Sequence, residues 1–79
     1  MISIIKYNER SFVVFGEETK KHKDFLMENG GGYNRYLKPT SGEGRYSGWI
    51  FPMTRKKQLF ENMTIEGIQF EEADEVVIE

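Results

Sequence analysis

Between residues 33 and 57 basic side chains and aromatic rings are interleaved, with Arg35, Tyr36, Lys38, Arg45 and Lys56 the residues best suited to a ligand. Rings of this kind offer a face on which an unpaired nucleobase stacks, and neighbouring cations hold its phosphates. Arg55 and Lys57 add to the charge, and Glu43 is the only acid in the stretch. These five residues are therefore the candidate nucleic-acid-binding set.

Catalytic chemistry has no comparable signature. His22 is the sole histidine and cysteine is absent, so the serines and threonines lack a recognisable base. His22 falls on the inner stripe of a helix and reads as a packed residue. The acids Glu71, Glu72, Asp74 and Glu75 lack the pattern of a calcium loop. Gly30-Gly31-Gly32 is not followed by the Lys-Ser/Thr of a phosphate loop, and it ends a helix instead of opening one. The glycines of 42–48 have the wrong spacing for a dinucleotide fingerprint. The expectation is a binding module with no catalytic residue, no metal and no cofactor.

These residues need elements to hold them. Residues 2–7 and 11–15 are β-branched and aromatic runs joined by Asn8-Glu9-Arg10, and they read as two strands. Phe12-Val13-Val14-Phe15 is apolar on both alternating faces, as expected of a central strand. If helices cover one face, something else must cover the other. Thr19 is placed to cap a helix over 20–29, with His22, Phe25, Leu26 and Asn29 inward and Gly30-Gly31 as its left-handed stop. Residues 33–37 and 46–51 read as a returning hairpin around a Pro/Ser/Gly loop, 38–45, closed by Pro52. Strict alternation puts Tyr33, Arg35 and Leu37 on one face and Asn34 and Tyr36 on the other. Trp49 and Phe51 share a face opposite Ile50. One aromatic set belongs to the core; the other is free to bind.

Thr54 then caps a helix over 55–63 with Leu59, Phe60 and Met63 inward. That puts Arg55, Lys56 and Lys57 at its start, where positive charge opposes the helix dipole and hints at a use. Segments 65–70 and 75–78 supply one last strand or arm, with Glu71-Glu72-Ala73-Asp74 as a break and Val76-Val77-Ile78 as the pairing segment. The expected class is α+β: a two-layer sandwich of two helices on a mostly antiparallel sheet of about four to five strands.

With 79 residues the chain makes one domain whose core must hold it without disulfides, since a domain this small buries only about 60% of its unfolded surface. Eleven aromatic residues supply much of that core. No run approaches the length of a membrane span, and Lys6 interrupts the first apolar residues too early for a signal peptide, so an intracellular setting is expected. The net charge of −2 conceals an asymmetry: every Lys and Arg precedes residue 66, whereas Glu66, Glu71, Glu72, Asp74, Glu75 and Glu79 close the chain without a base. Such separation suits a polyanion site with an acidic flank, or two solvated faces.

The order Phe12-Val13-Val14-Phe15-Gly16, Thr19, Lys20, Leu26, Gly30-Gly31, Tyr33-Asn34, Leu37, Gly48-Trp49-Ile50-Phe51-Pro52 and a Lys-rich helix resembles a small module of large eukaryotic DNA viruses. More distantly, it is similar to a small domain of primase-like and topoisomerase-like proteins of bacterial mobile elements. The likeness covers about 11–63 of a single domain spanning 1–79, leaving an acidic strand or arm at about 65–79. It rests on Gly30, Gly31, Tyr33, Asn34, Gly48, Trp49 and Phe51. Gly32 stands where the module often carries Arg or Lys, and the 38–45 loop is longer than its tight turn. The resemblance implies a non-enzymatic accessory module of the cytoplasm or nucleus of an infected cell, or of the virion. The basic and aromatic hairpin points to single-stranded DNA or RNA as the partner; the alternative is a viral or host protein that the hairpin or acidic tail docks.

Overall fold

The computed structural model describes residues 2–39 and 43–73. Strands β1 (Ile2–Asn8) and β2 (Ser11–Phe15) form the first hairpin, its Glu9-Arg10 turn held by the Arg10 amide donating to Asn8 Oδ1 at 2.8 Å. A 3-10 segment, Glu17–His22, leads into α1 (Lys23–Glu28), followed by β3 (Gly32–Leu37) and β4 (Tyr46–Pro52). A 3-10 turn, Met53–Arg55, opens α2 (Lys56–Ile65), and β5 (Phe70–Glu72) ends the described chain. The sheet order is β3-β4-β2-β1-β5, antiparallel throughout except where β5 runs parallel to β1. The fold is thus α+β, mostly antiparallel, with β2 in the central position its two apolar faces called for.

Both helices lie on one face. Leu26 of α1 and Leu59 and Met63 of α2 close over Ile2, Ile4, Phe12, Val14, Trp49 and Phe51, with Phe12 stacked on Phe51 at 5.2 Å between ring centres. The opposite face carries a smaller buried cluster, Ile5, Val13 and Leu37, under Tyr7, Phe15, Tyr46 and Ile50. Leu37 reaches it because β3 does not alternate strictly. Asn34 pairs with Gly48 and Leu37 with Tyr46, so Arg35 and Tyr36 together oppose the single Ser47. This bulge sends Leu37 to the face opposite Tyr33, correcting the expectation that the two share one. Asn34 pins it, its Oδ1 accepting the Tyr36 amide at 2.7 Å. Gly48 makes room, since a Cβ there would stand 2.9 Å from Val13 Cγ1 and 3.2 Å from Leu37 Cδ1. Tyr7 completes the cover, its hydroxyl accepting the Lys38 amide at 3.3 Å.

Each helix ends in the same hydrogen-bonded motif. Gly30, at φ +95°, donates to the Met27 carbonyl and Gly31 to Leu26; Gly67, at φ +74°, donates to Thr64 and Ile68 to Met63. These are Schellman caps, in which glycine takes the left-handed position without a Cβ penalty. Gly31 has a second duty: a Cβ would lie 2.6 Å from Phe51 Cζ and 2.9 Å from the Leu26 carbonyl. Beyond the caps, Asn62 Nδ2 donates to Asn29 Oδ1 at 2.6 Å and ties the two helix ends together.

The helix starts differ from expectation. Thr19 is no N-cap; it is buried inside the 3-10 segment and its hydroxyl donates to the Gly16 carbonyl at 2.7 Å. Thr54 sits within the second 3-10 turn, and neither α-helix has a side-chain cap. In both places a tight 3-10 turn brings the chain off a strand and onto the sheet, occupying the position where a cap would stand. The last strand also moves. Glu71 and Glu72, expected as a break, lie in β5 because Phe70 packs on the core and draws its neighbours alongside β1. The Val76-Val77-Ile78 segment lies outside the described residues.

Candidate nucleic-acid interface

Beyond Val14, β2 parts from β4: their pairing ends at Val14 and Trp49, and Gly16, with φ 125° and ψ 160°, turns the chain into the 3-10 segment. The first residues of β4 therefore have a strand neighbour only in β3. The space left between the 3-10 segment and the hairpin is a cleft of about 1040 Å³, at the top of the range of roughly 300–1,000 Å³ usual for small-molecule sites.

Its lining unites two chemistries. Tyr33 and Trp49 meet with ring centres 5.3 Å apart and planes at 57°; Trp49 is buried, while Tyr33 remains 55% exposed, so one ring anchors and the other is offered. Phe15 and Tyr46 form an edge-to-face pair at 5.6 Å on the other side of the opening. Lys20 and Lys23 stand on the helical wall and Arg45 on the hairpin wall, whose Nη1 donates to the Gly44 carbonyl at 2.7 Å. Among the described lining residues Glu17 is the one acid, 3.6 Å from Lys20. Burial, with a smaller contribution from nearby Tyr7, pushes the Tyr46 phenol up from 10.0 to about 12, so it stays a neutral hydrogen-bonding group at physiological pH.

Arg45 therefore lines the cleft directly. Arg35 and Tyr36, as the two bulge residues, lie across from Ser47, itself a lining residue, and Tyr36 is 74% exposed. Lys38 follows at the exposed end of β3. These four share one hairpin. Lys56 does not join them: its Nζ lies 3.4 Å from Glu72 of β5, at the opposite sheet edge, and 5.6 Å from the centre of the Phe60 ring. Arg55 also has a structural place: its guanidinium packs over Gly30 at the end of α1, a position that a positive charge near a helix C-terminus favours. The bases at the start of α2 are thus partly explained by packing.

Lys20, Lys23, Glu17, Tyr33, Phe15 and Tyr46 are among the cleft residues that the candidate set lacked. Lys20 and Lys23 fell among outward-facing helix residues in the sequence, and periodicity gives no sign that their side of the helix looks onto the hairpin. The structural motif has clearer duties: Gly30 and Gly31 end α1, Asn34 pins the bulge, Gly48 admits Leu37, and Trp49 and Phe51 are core. Tyr33 alone among them presents a free ring surface.

No group of three or more metal-ligating side chains occurs among the described residues, and no described helix is long and apolar enough to cross a membrane. Comparison of the chain with protein-family models, curated proteins and solved structures finds no match.

Proposed function

We propose that the chain is a non-enzymatic accessory module that binds single-stranded DNA or RNA, with one base entering the cleft against Tyr33. The observation that carries this reading is the joining of an exposed ring, braced by a buried tryptophan, to cations on two facing walls. Lys20 and Lys23 on one side and Arg45, Arg35 and Lys38 on the other suit the phosphates flanking such a base. Tyr36 offers a second ring next to the cleft. Stacking works with any base and the cations with any phosphate, so the resulting affinity is general and salt-sensitive. The likeness to a module of large eukaryotic DNA viruses fits the same accessory role, in an infected cell or a virion.

Fluorescence anisotropy of labelled single-stranded DNA, RNA and duplex DNA, at two salt concentrations, tests the reading. Five phosphate contacts predict a log–log salt slope of about −3.5 on single strands. Single strands should bind more tightly than duplex, whose paired bases cannot enter the cleft. An absence of binding at low salt would leave a viral or host protein as the partner.

A further inference from the structure

We propose that the cleft selects guanine from among the bases of a single strand, and that Glu17 is the selecting residue; this inference rests on the nucleic-acid reading above. A carboxylate is out of place on the wall of a phosphate-binding cleft, because it repels every polyanion alike. Glu17 is nonetheless among the lining residues. Its contact with Lys20 at 3.6 Å joins side chains that are 91% and 80% exposed, and a pair so solvated is easily given up to a ligand. What a carboxylate offers in return is acceptors only.

The bases differ sharply toward such a group. Guanine presents two adjacent donors on its pairing edge, N1–H and the 2-amino group, which match the two carboxylate oxygens. Adenine and cytosine present one amino group beside a ring acceptor. Thymine and uracil hold a single N–H between two carbonyl oxygens, which a carboxylate repels. Other polar groups of the cleft do not supply this discrimination: the Thr19 hydroxyl already donates to the Gly16 carbonyl, the Tyr46 and Ser47 hydroxyls each rotate to donate or accept and so suit any base edge, and Lys20, Lys23 and Arg45 carry donors suited to phosphate. Tyr33 stacks on any base. Selection therefore falls to Glu17.

The test is anisotropy with oligothymidine and with the same strand carrying one central guanine, inosine, adenine or cytosine, repeated with the corresponding oligouridine strands. The guanine strand should bind about tenfold more tightly than the unsubstituted one, and inosine, which lacks the 2-amino group, should fall between. Glu17→Gln lies on an exposed side chain and removes a negative charge. It should equalise the strands while keeping or raising affinity for oligothymidine. Equal wild-type affinities, or a guanine preference that survives Glu17→Gln, would overturn the selection and leave general binding standing. If no strand binds at low salt, the nucleic-acid reading falls and the selection with it. The RNA and DNA series together show which sugar the strand carries.

Discussion

The two hairpins of this sheet are built from similar residues and buried to very different extents. In β1–β2 the turn is short and Ile2, Ile4, Ile5, Phe12, Val13 and Val14 are all buried, so rings and branched chains go to the core on both faces. In β3–β4 the connection runs through 38–45, a bulge breaks the alternation, and Gly32 through Tyr36 are exposed. β4 faces the core along its length, whereas β3, at the sheet edge, buries Leu37 alone and carries Tyr33, Arg35 and Tyr36 outward. A bulge and a charged residue on that edge also discourage a foreign strand from pairing with it. The lesson is that a small domain can leave aromatic residues exposed where a strand has a single neighbour.

The contrast is open to attack at several points, the largest effect first. Phe12→Ala removes a fully buried ring from the first hairpin and should cost about 3–5 kcal/mol, most of the stability of a domain this size. Urea titration would register it as partial unfolding at room temperature; a loss near that of an exposed position would mean that the core is not centred on this hairpin. Gly31→Ala drives a methyl into Phe51 and should cost about 2 kcal/mol. Gly32→Ala meets nothing nearer than Ile50 Cγ2 at 4.0 Å and should be neutral. Equal melting temperatures for the two variants would contradict the packing of α1 against β4.

Tyr46 makes a prediction about pH. Well below pH 10 its phenol is neutral in both folded and unfolded chains and contributes no pH dependence to stability. As pH rises from 10.0 towards about 12 the unfolded chain loses this proton first, so stability falls and levels off only above the folded value. Discounted for the solvent that screens this half-buried phenol, the loss is on the order of 1 kcal/mol, and Tyr46→Phe should flatten that alkaline limb in melts recorded at pH 9 to 12. A limb unchanged by the substitution would mean that another group governs it.

Across the proposed binding cleft, Lys23→Ala with Arg45→Ala should weaken single-strand binding by about tenfold and reduce the salt slope by roughly 1.4, with little change in melting temperature. An unchanged slope would remove the cleft walls from the interface. Asn34→Ala removes the side-chain bond that pins the bulge and should cost about 1 kcal/mol. Its signature is local: hydrogen exchange at the Tyr36 amide should quicken while β1 and β2 amides hold, and uniform acceleration would show that the bulge is not independent of the first hairpin.

Much of this architecture was legible in linear order. The apolar pattern of Phe12-Val13-Val14-Phe15 placed β2 at the centre, because only a strand covered on two sides can bury consecutive residues. Gly30 after an amphipathic run marked the end of α1, since few other residues take the left-handed position. The hairpin and its basic, aromatic character followed from composition and turn residues. Period-two reasoning failed at Leu37, because a bulge depends on what the opposite strand presents, here the bare Gly48. Cap reasoning failed at Thr19 and Thr54, where the chain uses 3-10 turns to descend from a strand onto the sheet. Lys56 was grouped with the hairpin on charge alone, yet Glu72 and Phe60 hold it at the far edge.

Local periodicity and turn chemistry act over a few residues, so the first four strands, the end of α1 and the α+β class were already written in the order of amino acids. The strand order, the parallel pairing of β5 and the separation of β2 from β4 arise from packing between segments far apart in the chain. So does the cleft, because Lys20 and Lys23 come to face Arg45 and Tyr33 across a gap that exists only once β2 has turned away at Gly16. A contact of that kind has no period and no short motif, and folding alone brings it about.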